Sequence, residues 1–564
     1  MIKQPHDLSP RIQWLRDYYF KGVERAWNNE FACYSTGTDW DLLYNELSFY
    51  IVPETYAFFQ PFRASMRQAA QCVPVDQAFW ALSLPERRAC FLQEVMLRHL
   101  PVELLPGDLL AGARFNLSAS ACLTRAESKA REGAVQGTWR KQGVRQAVID
   151  FHMHGYGNAG ATSGHLIPDH ARLLRLGWKG VCADLDEKLR DLDPKESQGE
   201  SGAQLRAMRL AAGMPRGLAD RYAQLCREQL QAEGDAQRVG ELGQMAANLE
   251  RVGWEPPETF WQAVQALWLN HMLVMADENY PGPGVSFGRI DQILWPFWEG
   301  SRAAGMDREF GKEILRCFWI HCNTAYDAMI RLGANQGITA GFGQLLTLAG
   351  LGPEGSDLTN DLTFAILEVI DEMSPILEPK PNVRLHRGSP EHLLDKLVDM
   401  IGASQGAPFL LNFDERSMAG LLRQARLAGV EDRIHPGNVH DYAPVGCLEN
   451  TMVGNDRSGT VDVNLNLLKA VELTLTGGRD LIPAVDPITN KAQPIRQAGP
   501  DTGPAAALRD WPAIFAAFEK QLAYLVQRSV ALYEQSEAVR ARFHPTPYLS
   551  FLVRGCADSA TDVT

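Results

Sequence analysis

The sequence predicts an α/β architecture: short buried strands alternating with helices as a sheet or barrel, preceded by a largely helical region. Three observations carry this. From about residue 256 onward, apolar residues recur at helical spacing over successive segments. Between those segments lie short apolar runs bounded by glycine, the pattern of strands buried on both faces. Residues 1–255, by contrast, read as mostly helical with loops rich in Pro and Gly. The expected division is therefore 1–255 for the helical part and 256–564 for the α/β barrel part.

In chain order, Gly202 to Met214 and Leu218 to Leu230 have amphipathic helical spacing, and Leu192 to Gly202 reads as an exposed acidic connector. Pro256-Pro257-Glu258 opens a helix whose stripe holds Phe260, Val264, Leu267, Trp268 and Met272. Further helices are expected at 309–333, 361–373, 391–403, 416–428, 464–476 and 511–541. The strand candidates are Val285-Ser286-Phe287, Ile338 to Leu348, Asn382 to His386 and Pro408 to Asn412. Gly477-Gly478 is the expected stop of the 464–476 helix.

Composition narrows the function classes. The 564 residues carry a net charge of -13 with no Lys/Arg cluster, which argues against a nucleic-acid footprint. No apolar run is long enough to span a membrane, and the polar start Met1 to Pro10 lacks a signal-peptide core. The ten cysteines are scattered and include no Cys-x-x-Cys pair, so zinc and iron–sulfur spacings are missing and a reducing, cytoplasmic setting is expected.

The most informative segment is Gly446-Cys447-Leu448-Glu449, which follows Asp441-Tyr442-Ala443-Pro444-Val445 and precedes Gly454, Asn455 and Asp456. A thiol and a carboxylate at i and i+2 on an extended loop tip can both face one small cavity. A lone Cys is usually a small core residue, but these flanks mark a polar loop. One reading makes Cys447 a thiolate nucleophile partnered by His435 or His440. The other makes it a hydrogen-atom abstractor beside a carboxylate base.

Two further motifs carry chemistry of their own. Val148 to Gly155 contains His152-x-His154, which on a strand would point two imidazoles to one face as in metal-dependent hydrolases. That reading needs later ligands, and His165, His170 and His271 form no ordered set. Gly155-Tyr156-Gly157-Asn158-Ala159-Gly160 fits the dinucleotide spacing, but the loop-like 161–168 follows where a helix is required.

The loop Val445-Gly446-Cys447-Leu448-Glu449 resembles the Cys-x-Glu loop of glycyl radical enzymes of the pyruvate formate-lyase type. Other segments resemble that family in the same order: Leu104 to Gly112, Gly164-His165-Leu166-Ile167-Pro168-Asp169-His170 with Gly177 to Gly180, Pro257 to Trp268, Gly288 to Pro296, Gly406 to Asp414, and Pro545 to Ser550. The ordered set covers nearly the whole chain and is far more specific than any one motif.

The resemblance implies a pyruvate formate-lyase-like α/β barrel in which Cys447 is the thiyl site and Glu449 the catalytic base. It places His165 beside the substrate, with Gln336 and Phe342 on the cavity side of the barrel. It implies a radical lyase acting on a small carboxylate or hydroxylated molecule. Adjacent cysteines, the mark of acyl transfer, are lacking because Leu448 follows Cys447. The Cys447-Leu448-Glu449-Asn450 sequence is closer to arylacetate decarboxylases than to dehydratases, which commonly show Cys-Val-Glu-Pro. It further implies a separate activating enzyme that uses S-adenosylmethionine and a 4Fe-4S cluster, no cofactor bound to this chain directly, an anaerobic setting and a homodimer. The family's C-terminal Arg-Val-x-Gly-Tyr-like radical motif is not found; Arg251-Val252-Gly253-Trp254 is only an echo in the wrong half. The expectation is a barrel incomplete at its C-terminus: a fragment, one half of a split enzyme, or a remnant without the chemistry.

Overall fold

The computed structural model describes residues 8–16, 73–100, 102–112, 122–138, 141–144, 147, 150–151, 154–159, 164–278, 284–322, 344–373, 379–404, 410–446, 449–455, 463–483, 491–492 and 494–563. The helical part comprises α1 (Leu84–Glu94), α2 (His170–Asp191), α3 (Glu200–Ala212), α4 (Met214–Ala232) and α5 (Ala236–Val252). Ser83 and Glu86 close a reciprocal cap on α1, satisfying backbone donors that a helix start leaves orphaned. The stretch expected as a connector before α3 instead holds one helical turn, Pro194–Gln198, because Asp193 caps it and Pro194 sits at its first position.

At the centre lies α6 (Phe260–Asp277). Thr259 and Gln262 form its capping box, and every residue of the helix is buried. A helix that is apolar nearly all round must be enclosed, and here α2, α5 and α7 (Arg308–Cys322) pack on it. Trp268, Trp298, Trp319 and Phe318 fill the surrounding core.

The sheet is built from β2 (Leu345–Ala349), β3 (Lys380–Leu385) and β4 (Leu410–Phe413), all parallel. Helices α8 (Asp361–Met373) and α9 (Glu391–Ser404) make the crossovers that parallel pairing requires. Two shorter staves extend this wall. Phe287 N donates to Leu345 O at 2.8 Å and Ser286 N to Leu166 O at 3.0 Å, with parallel bridges Gly288↔Leu346 and Leu166↔Val285. The wall therefore runs from 166 through 285–288, β2 and β3 to β4 in chain order, the arc of an α/β barrel. After β4 comes α10 (Asp414–Ala428), ended by Gly429 in the left-handed region.

The hairpin β5 (Tyr442–Val445) and β6 (Glu449–Met452) packs on this wall: Ala443 and Val445 meet Ile167, and Gly454 N donates to Ile167 O at 2.9 Å. Beyond it, α11 (Leu467–Thr476) is stopped by Gly477 and packs on the 33-residue α12 (Trp511–Phe543).

The fold also bears on the two motifs that the sequence argued against. Around the His152-x-His154 motif, the described residues 147 and 150–151 are helical and His154 lies in a turn, its N–H donating to Asp150 O; His152 lies outside the described residues. Gly157–Ala159, inside the Gly-x-Gly-x-x-Gly spacing, is strand β1, paired antiparallel with β7 (Val463–Leu465).

Candidate active site

The site stands at the tip of the β5–β6 hairpin. Its register pairs Tyr442 with Met452 and Val445 with Glu449, with Gly446, Cys447 and Leu448 between the two strands in sequence. Gly446 has φ +55°, a left-handed conformation that glycine adopts without penalty. Cys447 and Leu448 lie outside the described residues. Glu449, the first residue of β6, is almost enclosed: its side chain is 9% exposed.

His165 meets this tip from the first stave of the wall. Its Nδ1 stands 3.5 Å from Glu449 Oε1, just beyond a tight hydrogen bond. His165 itself has φ 52°, a strained position for a side-chain-bearing residue. The approach is close enough to demand glycines. A Cβ on Gly446 would lie 2.3 Å from His165 Nδ1 and Cε1, and one on Gly284 would lie 2.9 Å from His165 Cδ2 and 3.0 Å from Gly446 Cα. Three segments distant in sequence thus converge on one imidazole and one carboxylate.

The base of the hairpin is held by a buried ionic network. Arg384 of β3 grips Asp414 with Nε–Oδ1 at 2.8 Å and Nη2–Oδ2 at 3.0 Å, the two-pronged geometry that carboxylates favour. Tyr442 OH donates to Asp414 Oδ1 at 2.7 Å, and the guanidinium lies over the Tyr442 ring at 4.1 Å. Arg384 Nη1 also donates to the carbonyls of His440 and Tyr442 at 2.8 and 3.0 Å, and Arg289 Nη1 to His440 O at 3.1 Å. Burial pushes the Asp414 pKa up, but the bonds from Arg384 outweigh it and hold the carboxyl below the usual range. Burial, with Arg384 close by, pulls Arg289 down to about 10. Burial pushes the Tyr442 phenol up.

His154, the other candidate ligand, sits elsewhere. Its Nδ1 meets Asp480 Oδ2 at 2.9 Å, and Arg496 donates to Nε2 at 2.7 Å from Nη2 and 3.1 Å from Nε. An arginine donor needs a lone pair, so the proton is on Nδ1 and neither nitrogen is open to a metal. Burial lowers its pKa despite Asp480. Among the described residues no group of three His, Cys, Asp or Glu is arranged to hold a metal. No described helix is long and apolar enough to cross a membrane.

Of the residues expected in the site, the fold brings together Glu449 and His165. His435 and His440 do not join them: His435 Nδ1 accepts from Gly437 N at 3.2 Å, and His440 lies at the hairpin base with its pKa lowered by burial. Gln336, Phe342 and His152 lie outside the described residues. Sequence reasoning missed the Arg384–Asp414–Tyr442 support. A signal existed: an arginine in the middle of Asn382-Val383-Arg384-Leu385, a run read as a buried strand, requires a buried partner.

Residues 128–564 match the model of the pyruvate formate lyase-like family. The chain belongs to that family, the glycyl radical enzymes of the pyruvate formate-lyase type. It is 29% identical over 429 residues to (2S)-3-sulfopropanediol dehydratase of Klebsiella oxytoca, a match covering 75% of this chain and 48% of the relative. It is 27% identical over 400 residues to trans-4-hydroxy-L-proline dehydratase of Clostridioides difficile, covering 69% and 47%. The chain thus spans about half the length of the curated relatives it matches. The fold matches the glycerol-bound B12-independent glycerol dehydratase of Clostridium butyricum with TM-score 0.71 at 19% identity, over 100% of this chain and 68% of that one.

Proposed function

We propose that this chain carries the thiyl and acid–base machinery of a glycyl radical lyase that eliminates a leaving group from a small hydroxylated molecule. The observation that carries the reading is the Glu449 carboxylate held 3.5 Å from the His165 imidazole, two positions after Cys447 in the sequence. A stored glycyl radical, made by a separate S-adenosylmethionine-dependent activase, supplies the initial one-electron oxidation of the Cys447 thiol.

The residues then divide the work. Cys447 sulfur takes a hydrogen atom from the carbon bearing the substrate hydroxyl. Glu449 takes the hydroxyl proton as the bond from the neighbouring carbon to the leaving group breaks. The electron pair of that bond departs with the leaving group, and protonated His165 supplies its proton. The product radical, now a carbonyl with the unpaired electron on the adjacent carbon, recovers a hydrogen atom from Cys447. The proton held by Glu449 passes to His165 across the short gap, which resets both groups. An acid beside a base is what elimination needs. Decarboxylation needs only the base; that second reading rests on the Cys447-Leu448-Glu449-Asn450 sequence, which is closer to arylacetate decarboxylases. The buried setting suits a radical that must be kept from oxygen and water.

The test is anaerobic activation of the chain with its activase and a glycine-radical polypeptide, followed by paramagnetic resonance and a product screen of diols, hydroxysulfonates, hydroxyprolines and arylacetates. We expect turnover by elimination, abolished in Cys447→Ser while circular dichroism is unchanged. A Cys447→Ser chain that still turns over sinks the reading, and carbon dioxide from an arylacetate selects decarboxylation instead.

A further inference from the structure

The geometry points to Glu278 as a positioning residue that sets the His165 imidazole against Glu449. This inference rests on the proposed acid–base pair and deepens it.

Glu278 follows the last residue of α6 and its side chain is 1% exposed. A carboxylate is badly placed there. Burial strips the charge of water, and the negative end of the helix dipole opposes it. It occupies the C-cap position of α6, where its charge gains nothing from the helix, and its partners explain its presence. Arg540, in the last turn of α12, approaches Glu278 Oε2 at 3.1 Å and offsets the charge. The same oxygen accepts from Gly164 N at 2.8 Å.

Gly164 is the residue before His165. The two have φ 75° and 52°, consecutive left-handed positions. For histidine that conformation is strained and persists only if both sides are tied down. The downstream side is tied by Leu166, whose carbonyl accepts from Ser286 N at 3.0 Å. The upstream side is tied by Glu278. Without it, the buried Gly164 N–H loses its acceptor, and the backbone can relax to the right-handed region. That relaxation swings the imidazole away from Gly446 and Glu449. Glu278 therefore acts through the backbone of its neighbour and touches neither substrate nor reacting atoms.

Two conservative variants separate this role from bulk stability. Glu278→Gln keeps an oxygen at the reach of Gly164 N. Glu278→Asp keeps the charge for Arg540 but withdraws the carboxylate by about 1.5 Å, one carbon–carbon bond. In the unactivated chain, the His165 ring resonances, assigned with His165→Asn, should be wild-type in Glu278→Gln and shifted in Glu278→Asp. In the activated enzyme, Glu278→Gln should keep kcat within about 3-fold, while Glu278→Asp loses about 10- to 100-fold with KM changed far less. Glu278→Asp with wild-type His165 resonances overturns the inference. Shifted resonances with wild-type kcat overturn it as well. If no activated chain turns over, the proposed function fails, and the resonances of the unactivated chain still decide the positioning role.

Discussion

Gly446→Ala tests the geometry of the hairpin tip most directly, and Gly429→Ala is its internal control. Both glycines are left-handed, with φ 55° and 68°. Each alanine therefore carries about 1–2 kcal/mol of backbone strain. They differ in surroundings. A Cβ on Gly429 meets nothing within 4 Å, whereas one on Gly446 lies 2.3 Å from the His165 ring and 3.1 Å from Glu449 Oε2. Restoring ordinary contact at 3.4 Å requires the ring or the tip to move by about 1.1 Å, which is 3.4 minus 2.3. Overpacking of this kind adds about 1–3 kcal/mol. In urea, with a slope of about 3 kcal/mol/M, an extra 2 kcal/mol lowers the midpoint of Gly446→Ala by about 0.7 M relative to Gly429→Ala. In the activated enzyme the 1 Å displacement should cost about 100-fold in kcat for Gly446→Ala and nothing for Gly429→Ala. Equal midpoints and equal rates for the two variants would refute the convergence of His165, Gly446 and Glu449.

Other outcomes follow from the same network. Asp414→Asn leaves Arg384 buried without its counter-charge and should cost about 3–5 kcal/mol in urea unfolding; a loss below 1 kcal/mol would show that the pair does not hold the hairpin. His170 is fully buried, and its imidazole, near 6.5 when unfolded, is lowered to about 4 by burial. The unfolded chain then binds the extra proton, so stability is full above 6.5 and falls as pH drops from 6.5 toward about 4, by roughly 3 kcal/mol. In urea titrations His170→Gln should flatten that slope, and an unchanged slope would assign it to other groups.

Much of the architecture is legible from periodicity. Residues 361–373 and 391–403 carry clean helical patterns, and α8 and α9 fall there because their apolar stripes are what the sheet buries. The strand at 382–386 appears as β3, beginning two residues earlier and ending one earlier, since a run buried on both faces marks its centre better than its ends. The apolar run before the thiol and the carboxylate after it fall in the paired strands β5 and β6. What could not be read is the company each residue keeps. His154 looked like a ligand because Asp480 and Arg496 are more than 300 positions away. The left-handed backbone of His165 leaves no mark on composition, and Glu278 is intelligible only once Gly164 and Arg540 are brought beside it.

The scattered origin of the site has a consequence for biosynthesis. His165, Gly284 and Glu449 come from segments more than a hundred residues apart, so the pocket is built from contacts of long sequence separation. At about 5–20 residues per second, the ribosome delivers Glu449 roughly 15 to 60 s after His165. During that interval the helices around α6 can already condense, because their partners are local. The reactive loop is thus added late, after the helices from α1 to α7 have been made. A nascent chain stalled before the hairpin would hold a folded helical body and an open His165, with neither thiol nor carboxylate yet in reach.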